Sequence, residues 1–253
     1  MEILKTRKNS PPRILLHGDH KTGKSSLAAA APNPLFIQTE DGLDSIDAQS
    51  LPLCTSFNML LDQLEQVYTE EHDFKTLVID SLDWAETIIY KHVCTEAGKK
   101  SLSDFNYGAG YQATLECFGE MITAINLIRE KRGMIVILTA HSQTKTYNNP
   151  LGSDYDRYQI KLREKNSELF LEWVDFIGFM LFQTYIKTRD DKKKRGFGGS
   201  EKAKVLGGTD RIISCFPNAA YVGGNRYGIT EDIPVPSAAE GWVNLVNAIK
   251  GAK

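Results

Sequence analysis

The stretch GDHKTGKS, Gly18 to Ser25, decides the fold class of this 253-residue chain. It matches the pattern GxxxxGK[ST] of a phosphate-binding loop. The apolar run RILLH, residues 13–17, precedes the loop, and SSLAAAA, residues 25–31, follows it with high helix propensity. The motif therefore lies between a predicted strand and a predicted helix, which is the context that it requires.

Each part of this loop predicts a contact with a nucleoside triphosphate. The glycines allow backbone N–H groups to curl around phosphate oxygens, and the helix that follows directs the positive end of its dipole at them. Lys24 is predicted to reach the β and γ phosphates, and Ser25 to coordinate Mg²⁺. The sequence therefore predicts ATP and Mg²⁺ as cofactors. The predicted cofactor-binding residues are Gly18, Asp19, His20, Lys21, Thr22, Gly23, Lys24, Ser25 and Ser26.

Strands and helices alternate along the next part of the chain. Strands are predicted at PLFIQ (34–38), KTLVI (75–79) and MIVILTAH (134–141), with helices over 56–72, 82–97 and 112–131 between them. The run MIVILTAH is apolar throughout, as in a strand buried on both faces. This alternation predicts an α/β fold with a mostly parallel sheet and helices on both faces.

Beyond residue 141 the pattern is less regular. A polar stretch to about residue 165 is interpreted as a loop, 168–187 as a helix and then a strand, and the end of the chain as short strands closed by a helix. We predict one domain: an N-terminal arm (1–12), a P-loop core (13–182), a small β extension (183–236) with a mobile basic loop at about 188–204, and a C-terminal helix (237–253).

Composition excludes several other classes of protein. No run approaches the roughly 20 apolar residues that span a bilayer, and the N-terminus lacks a signal peptide, so we expect a cytoplasmic protein without a membrane partner. The four cysteines are isolated and predict neither a disulfide framework nor a zinc site. The net charge of -2 argues against a surface that is basic throughout, so a DNA site must be a local patch.

Two acidic residues are predicted to complete the site. Asp80 ends the strand TLVID, at the sheet edge where ligands collect, and is predicted to hold Mg²⁺ together with Ser25. Without the P-loop, the same pattern would indicate a strand end with a helix cap. Glu40 ends FIQTE, and if the second and third strands are neighbours it can orient or deprotonate the attacking water. Asp41 and Asp44 are alternatives for that role.

His141 follows the last buried strand and is a candidate sensor of the γ phosphate. A single histidine at a strand end is more often structural, and Gln143 is a second candidate nearby.

With these residues assembled, the chain resembles the RecA-like recombinase and helicase core, and among its members the short core-only phage ATPases of recombination and single-strand annealing. LVIDSLDWA is similar to the metal-binding strand of that family, FIQTEDGLD to its strand ending in the catalytic glutamate, and VILTAHSQ to its sensor strand. The resemblance implies a catalytic role for Glu40 and a sensor role for His141, beside Lys24. A phage-encoded chain would act in the host cytoplasm.

The segment GGNRYG, Gly223 to Gly228, is similar to the family segment that supplies basic residues to the ATP of a neighbouring subunit. Gly224 replaces the first basic residue. The resemblance therefore implies that Arg226 is the arginine that contacts the ATP of the neighbouring subunit, with Arg211 as a weaker alternative. It also implies a homo-oligomer with ATP near the subunit interface. Only twelve residues precede the first strand, which matches the core-only type and disfavours long filaments.

Two loops of that family face DNA, and their counterparts here are 99–111 and 142–165. Both combine aromatic residues with cations, which suits single-stranded DNA bound without sequence preference. Acidic residues in these segments reduce their net positive charge. The KKKR run at 192–195 is interpreted as the solvated tip of a loop and not as a DNA contact. A single-strand DNA-binding protein is a further expected partner. The aromatic and basic residues concerned are Phe105, Tyr107, Tyr111, Tyr147, Tyr155, Tyr158, Lys99, Lys100, Lys145, Arg157, Lys161 and Arg163.

The predicted function is that of a Mg-dependent ATPase, stimulated by single-stranded DNA, that promotes annealing or strand exchange in phage recombination. One alternative is a nucleotide-gated DNA-binding protein with little turnover. Another is a P-loop kinase of small molecules, for which residues 187–204 would have to form a lid.

Overall fold

The P-loop strand lies near the middle of a mixed β-sheet. The computed structural model describes residues 10–187 and 204–251. The strands are β1 (Arg13–Gly18), β2 (Pro34–Gln38), β3 (Gln49–Ser50), β4 (Thr76–Asp80), β5 (Ile135–Tyr147), β6 (Tyr155–Ile160), β7 (Phe176–Lys187), β8 (Lys204–Ser214), β9 (Gly224–Asn225) and β10 (Ile233–Pro234). The helices are α1 (Lys24–Ala29), α2 (Phe57–Thr69), α3 (Leu82–Glu96), α4 (Ala109–Arg132), α5 (Glu164–Trp173) and α6 (Ala238–Gly251), with 3-10 turns at Leu102–Asp104 and Asn106–Gly108.

The sheet order places the P-loop strand between the predicted sensor strand and the C-terminal strands. The order is β10-β8-β7-β1-β5-β4-β2-β3, with β6 paired to β5 and β9 to β7. Strands β7, β1, β5, β4, β2 and β3 are parallel, whereas β8 is antiparallel to β7 and β10 is antiparallel to β8. The predicted α/β class with a mostly parallel sheet is confirmed.

Apolar side chains cover both faces of the sheet. On one face, Leu15 joins a cluster with residues of α2, α3, α4 and α5. On the other face, Ile14 and Leu16 pack with residues of α1 and α6, including Leu27 and Trp242. Successive residues of β1 thus enter opposite cores, which is why the strand is apolar at every position.

The polar stretch after residue 141 is not the loop that the sequence predicted. Strand β5 continues to Tyr147 and turns back as β6, and the two form a hairpin over residues 142–160, from the pair Ser142 and Ile160 to the pair Tyr147 and Tyr155. Exposed and half-buried residues alternate along it. The prediction failed because this hairpin lacks a fully apolar face, which is the signal that marks a strand in a sequence.

Other boundaries agree closely with the prediction, since β2 has the predicted limits and α6 lies within the predicted 237–253. The predicted mobile basic loop, including the KKKR run, lies outside the described residues except at its end. In the described part of the chain, no helix is long and apolar enough to cross a membrane.

Candidate nucleotide-binding site

The P-loop connects the carboxyl end of β1 to α1. Lys24 is buried, and its Nζ donates hydrogen bonds to the carbonyl oxygens of Gly18 at 3.2 Å and Asp19 at 2.8 Å. The Thr22 hydroxyl donates to the same Asp19 oxygen at 3.0 Å. Burial lowers the pKa of Lys24, and the carboxylates of Asp80 and other nearby acids act against that shift. The ammonium group thus has only carbonyl partners and can turn to a phosphate.

Two glycines of the loop lie where a side chain would not fit. A Cβ atom on Gly18 would be 2.3 Å from the carbonyl oxygen of Met180, which is a forbidden contact. Gly23 has a φ of +95°, and its Cβ would be 2.5 Å from Arg211 Nη1. The motif therefore has glycine at these positions for a close approach of β7 and for a left-handed turn.

Asp80 ends β4 and is buried beside the loop. The Thr139 hydroxyl of β5 donates a hydrogen bond to its carboxylate. The Ser25 hydroxyl and the Asp80 carboxylate are the oxygen donors that Mg²⁺ prefers. The hydroxyl of the buried Ser81, next to Asp80, lies beside the carboxylates of Glu40 and Asp83. These groups fit a hydrated Mg²⁺, although the metal role of Ser25 and Asp80 stays a prediction.

Glu40 lies at the same edge of the sheet as Asp80. Strands β2 and β4 are neighbours, as the prediction required, with Gln38 opposite Asp80 and a 2.8 Å bond from the Thr39 N–H to the Asp80 carbonyl. Burial raises the pKa of Glu40, and the nearby His141 acts against this shift. Asp41, an alternative base, is exposed. Glu40 is therefore better placed than Asp41 to orient or deprotonate the attacking water. This role stays a prediction.

Asp44, the other alternative, is also exposed. Gln143, the second candidate sensor, donates from its amide to the Ile160 carbonyl at 3.2 Å and so holds the hairpin together. Neither residue is brought to the P-loop by a contact that the structure describes.

His141 is buried and held by an acid that sequence reasoning missed, Asp83. The Asp83 carboxylate accepts from the His141 backbone N–H at 3.0 Å and lies 2.9 Å from the ring Nδ1. Burial acts to raise the pKa of Asp83, but the bonds from His141 outweigh it and lower the pKa. The His141 ring also lies 4.1 Å from the ring of His20 in the P-loop. The candidate sensor therefore contacts the loop on one side and Asp83 on the other.

Arg226 lies at the opposite end of the sheet from its own P-loop. Its guanidinium is 3.3 Å from Asp175 and donates to the Glu172 carbonyl at 2.6 Å. Asp175 also pairs with Arg13, the first residue of β1, whereas the P-loop follows the last residue of that strand. Arg226 is thus remote from the P-loop of its own chain, and its action in trans stays a prediction. Arg211, the alternative, lies against its own loop.

One cavity with basic and aromatic walls adjoins the nucleotide site at Asp83, and a second cavity adjoins the first. The first, about 480 Å³, includes Asp83 in its wall together with Trp84, which is 47% exposed. The second, about 550 Å³, shares Tyr90 with the first. We name the cations around the two cavities the basic track. Its members are Lys91, Lys99, Lys100, Lys145, Lys161 and Arg163.

The two segments predicted to face DNA meet at this track. The Arg163 guanidinium lies 3.8 Å above the ring of Tyr111, which joins the segment 142–165 to the segment 99–111. Tyr107 is fully exposed, whereas Tyr158 stacks on Phe179. Tyr107 and Trp84 are therefore the rings of this region most open to solvent, and the DNA role of the two segments stays a prediction.

A family model described as an AAA domain matches residues 10–227, which is most of the chain. A search of curated proteins finds no match. The matched range includes the P-loop, Asp80, His141 and Arg226, and an AAA domain indicates a nucleotide-binding ATPase. The chain belongs to the AAA domain family.

Proposed function

We propose that the protein is a Mg-dependent ATPase that binds single-stranded DNA and uses ATP to promote annealing or strand exchange, as its resemblance to the phage recombinases implies. The observation that carries the proposal is the position of Asp83. This residue holds the candidate sensor His141 and also lines the first cavity of the basic track. The Asp83 side chain therefore contacts the candidate sensor of the nucleotide site and also lines the cavity where we propose that DNA binds.

The residues at the carboxyl end of the parallel strands have different roles in hydrolysis. Lys24 and the loop N–H groups bind and orient the phosphates, and Glu40 orients the attacking water and accepts its proton. The raised pKa of Glu40 makes it a better proton acceptor than an exposed carboxylate, provided that it is ionised. A bound Mg²⁺ would offset the negative charge that develops on the phosphates.

The chemistry of the basic track favours single-stranded DNA as the ligand. Lys99, Lys100 and Lys161 are exposed and can pair with phosphates of a strand. Tyr107 and Trp84 offer exposed rings on which unpaired bases can stack, and every base has a face that suits such stacking. Bases of a duplex are already stacked on each other, so these rings add affinity only for a single strand.

The position of Arg226 supports assembly of several subunits. A guanidinium at the amino end of the sheet completes an ATP site only if a second subunit brings that end to the P-loop of the first. Asp175 and the Glu172 carbonyl hold Arg226 in place within its own subunit. The exposed guanidinium then suits the charge that develops during phosphoryl transfer.

The test is phosphate release by the purified protein, with and without an unstructured oligonucleotide. We expect the single strand to raise turnover at least fivefold and a duplex of the same sequence to do so much less. The Lys24→Ala and Arg226→Ala variants should each lose about 1000-fold in turnover, because each removes a cation from the phosphates. An equal mixture of the two variants should recover part of the activity, since some interfaces then combine an intact P-loop with an intact Arg226.

Lys131→Ala is the control for Lys24→Ala, because Lys131 is an exposed lysine in the last turn of α4, outside the nucleotide site, and its turnover should stay near that of the wild type. Full turnover of Lys24→Ala would contradict the ATP site, and a mixture as inactive as its components would contradict action in trans. Equal turnover with and without DNA would leave no support for the DNA role. Phosphate transfer to a small-molecule acceptor would instead favour a kinase.

A further inference from the structure

Arg211 contacts the P-loop of its own chain from the side of the C-terminal strands. A Cβ atom on Gly23 would lie 2.5 Å from Arg211 Nη1 and 3.6 Å from Cζ, so the guanidinium packs on the loop backbone. Strand β8 places it there. Arg211 is paired with Phe182 of β7, three residues beyond the Phe179 that lies opposite His17 of β1. The side chain is therefore level with the loop that follows β1.

The backbone of Arg211 is fixed on both sides. It is paired with β7, and its carbonyl accepts a 2.8 Å hydrogen bond from the Val235 N–H. Its side chain shares a face of the strand with Ile213, which is buried in the core beneath α1. This arrangement directs the guanidinium to the loop.

Among the residues that the structure describes, the guanidinium of Arg211 has no partner of opposite charge. Within residues 10–187 and 204–251, its side chain makes no hydrogen bond and no carboxylate lies within 4.0 Å. By contrast, Arg13 and Arg226 share Asp175. Arg211 is partly buried and contacts Gly23, the residue before the buried Lys24, so both cations belong to or adjoin one loop. Such an arrangement is favourable only with an anion between or beside them.

We propose that Arg211 binds the α-phosphate of the nucleotide, an inference that rests on the proposed binding of ATP. The sheet order determines which end of the nucleotide Arg211 meets. Asp80 and Glu40 lie on the β4 and β2 side of β1, where the metal and the γ phosphate are expected. Arg211 lies on the other side of β1, across β7. A triphosphate along the loop with its γ end at Asp80 directs its α-phosphate and nucleoside to Arg211.

An α-phosphate contact is present equally with ADP and ATP and does not change during hydrolysis. It therefore contributes to binding and not to the chemical step. A planar guanidinium suits this position because it can donate two parallel hydrogen bonds to one phosphate.

The test is calorimetric binding of ADP and of the analogue AMP-PNP in magnesium buffer, with steady-state kinetics alongside. Arg211→Gln should weaken both nucleotides by the same factor, about tenfold. Its KM for ATP should rise by the same factor while kcat stays within twofold. Arg211→Lys should lose less affinity for both nucleotides, because lysine keeps the positive charge. The control is Lys131→Gln, which removes one exposed charge on α4 and should bind as the wild type does.

Wild-type affinity of Arg211→Gln for ADP would overturn the inference while leaving the proposed ATPase intact. If Arg211→Gln lost affinity for AMP-PNP but not for ADP, and its kcat fell, Arg211 would act on the γ phosphate. That result would overturn the α-phosphate assignment. A merely structural role would lower the melting temperature of the nucleotide-free variant and would affect Arg211→Lys as much as Arg211→Gln. Failure of the wild type to bind ADP would overturn both proposals.

Discussion

The nucleotide site and the basic track meet at Asp83 but are built in different ways. Lys24 and Asp80 are buried and are held by backbone carbonyls or by a neighbouring strand. Lys99, Lys100 and Lys161 of the track are exposed. Water and salt screen exposed charges strongly and buried ones little. A single substitution should therefore have a large effect in the nucleotide site and a small, salt-dependent effect in the track.

The largest effect is expected from Glu40→Gln. The amide keeps the shape of the side chain but cannot accept a proton from water, so turnover should fall by about 1000-fold while nucleotide binding is retained. Phosphate release and ADP binding measure the two properties separately.

Asp41→Asn is the control for this prediction, because Asp41 is the next residue but is exposed. Its turnover should stay within twofold of the wild type. If Asp41→Asn were inactive and Glu40→Gln active, the base would be misassigned. Slow turnover in both the wild type and Glu40→Gln, with DNA binding retained, would favour a nucleotide-gated binding protein.

The second prediction concerns His17, a buried group directly before the P-loop. Its Nε2–H donates to the Val222 carbonyl at 2.7 Å, and its Nδ1 lies 2.9 Å from the Ser142 hydroxyl, which donates to Nδ1 when the ring is neutral. Burial lowers the pKa of His17 to about 4, whereas an unfolded histidine has a pKa of about 6.5. Between these values the unfolded chain binds a proton that the folded chain does not.

The stabilisation from neutral His17 is therefore complete above pH 6.5 and is lost as the pH falls towards 4. The full difference is about 3 kcal/mol in the free energy of unfolding. Urea unfolding at pH 7, 6 and 5 should show this decline in the wild type and a shallower one in His17→Gln, which has no titrating ring. Parallel declines in both proteins would mean that other groups control the pH dependence.

The same contrast explains what could be predicted from the sequence. The P-loop was predictable because eight consecutive residues form it. The positions of Asp80 and Glu40 were predictable because Asp80 ends a recognisable strand and Glu40 follows two residues after another. Asp83 and Arg211 were not predictable in their roles. Asp83 lies in the first turn of a helix and gains its role from His141 on another strand. Arg211 gains its role from the pairing of β8 with β7, which no local pattern indicates.

The third and smallest effect is expected where the two regions meet, at Asp83. Asp83→Asn keeps the size of the side chain but removes the charge that holds the His141 ring and that lies 4.0 Å from Lys161. We expect DNA bound at the track to stimulate hydrolysis through the contact between Asp83 and His141. The ratio of turnover with DNA to turnover without it should then fall about fivefold in this variant.

The matched control for Asp83→Asn is Glu86→Gln, one turn along α3. Glu86 lines the same cavity, but its carboxylate accepts from the Arg163 backbone N–H at 3.0 Å and from the Asn166 amide at 2.7 Å, not from the nucleotide side. Its stimulation ratio should therefore stay near that of the wild type. An equal fall in both variants would mean that the cavity shapes the DNA site as a whole. An unchanged ratio in Asp83→Asn would mean that DNA acts on hydrolysis by another route, such as assembly of subunits around Arg226.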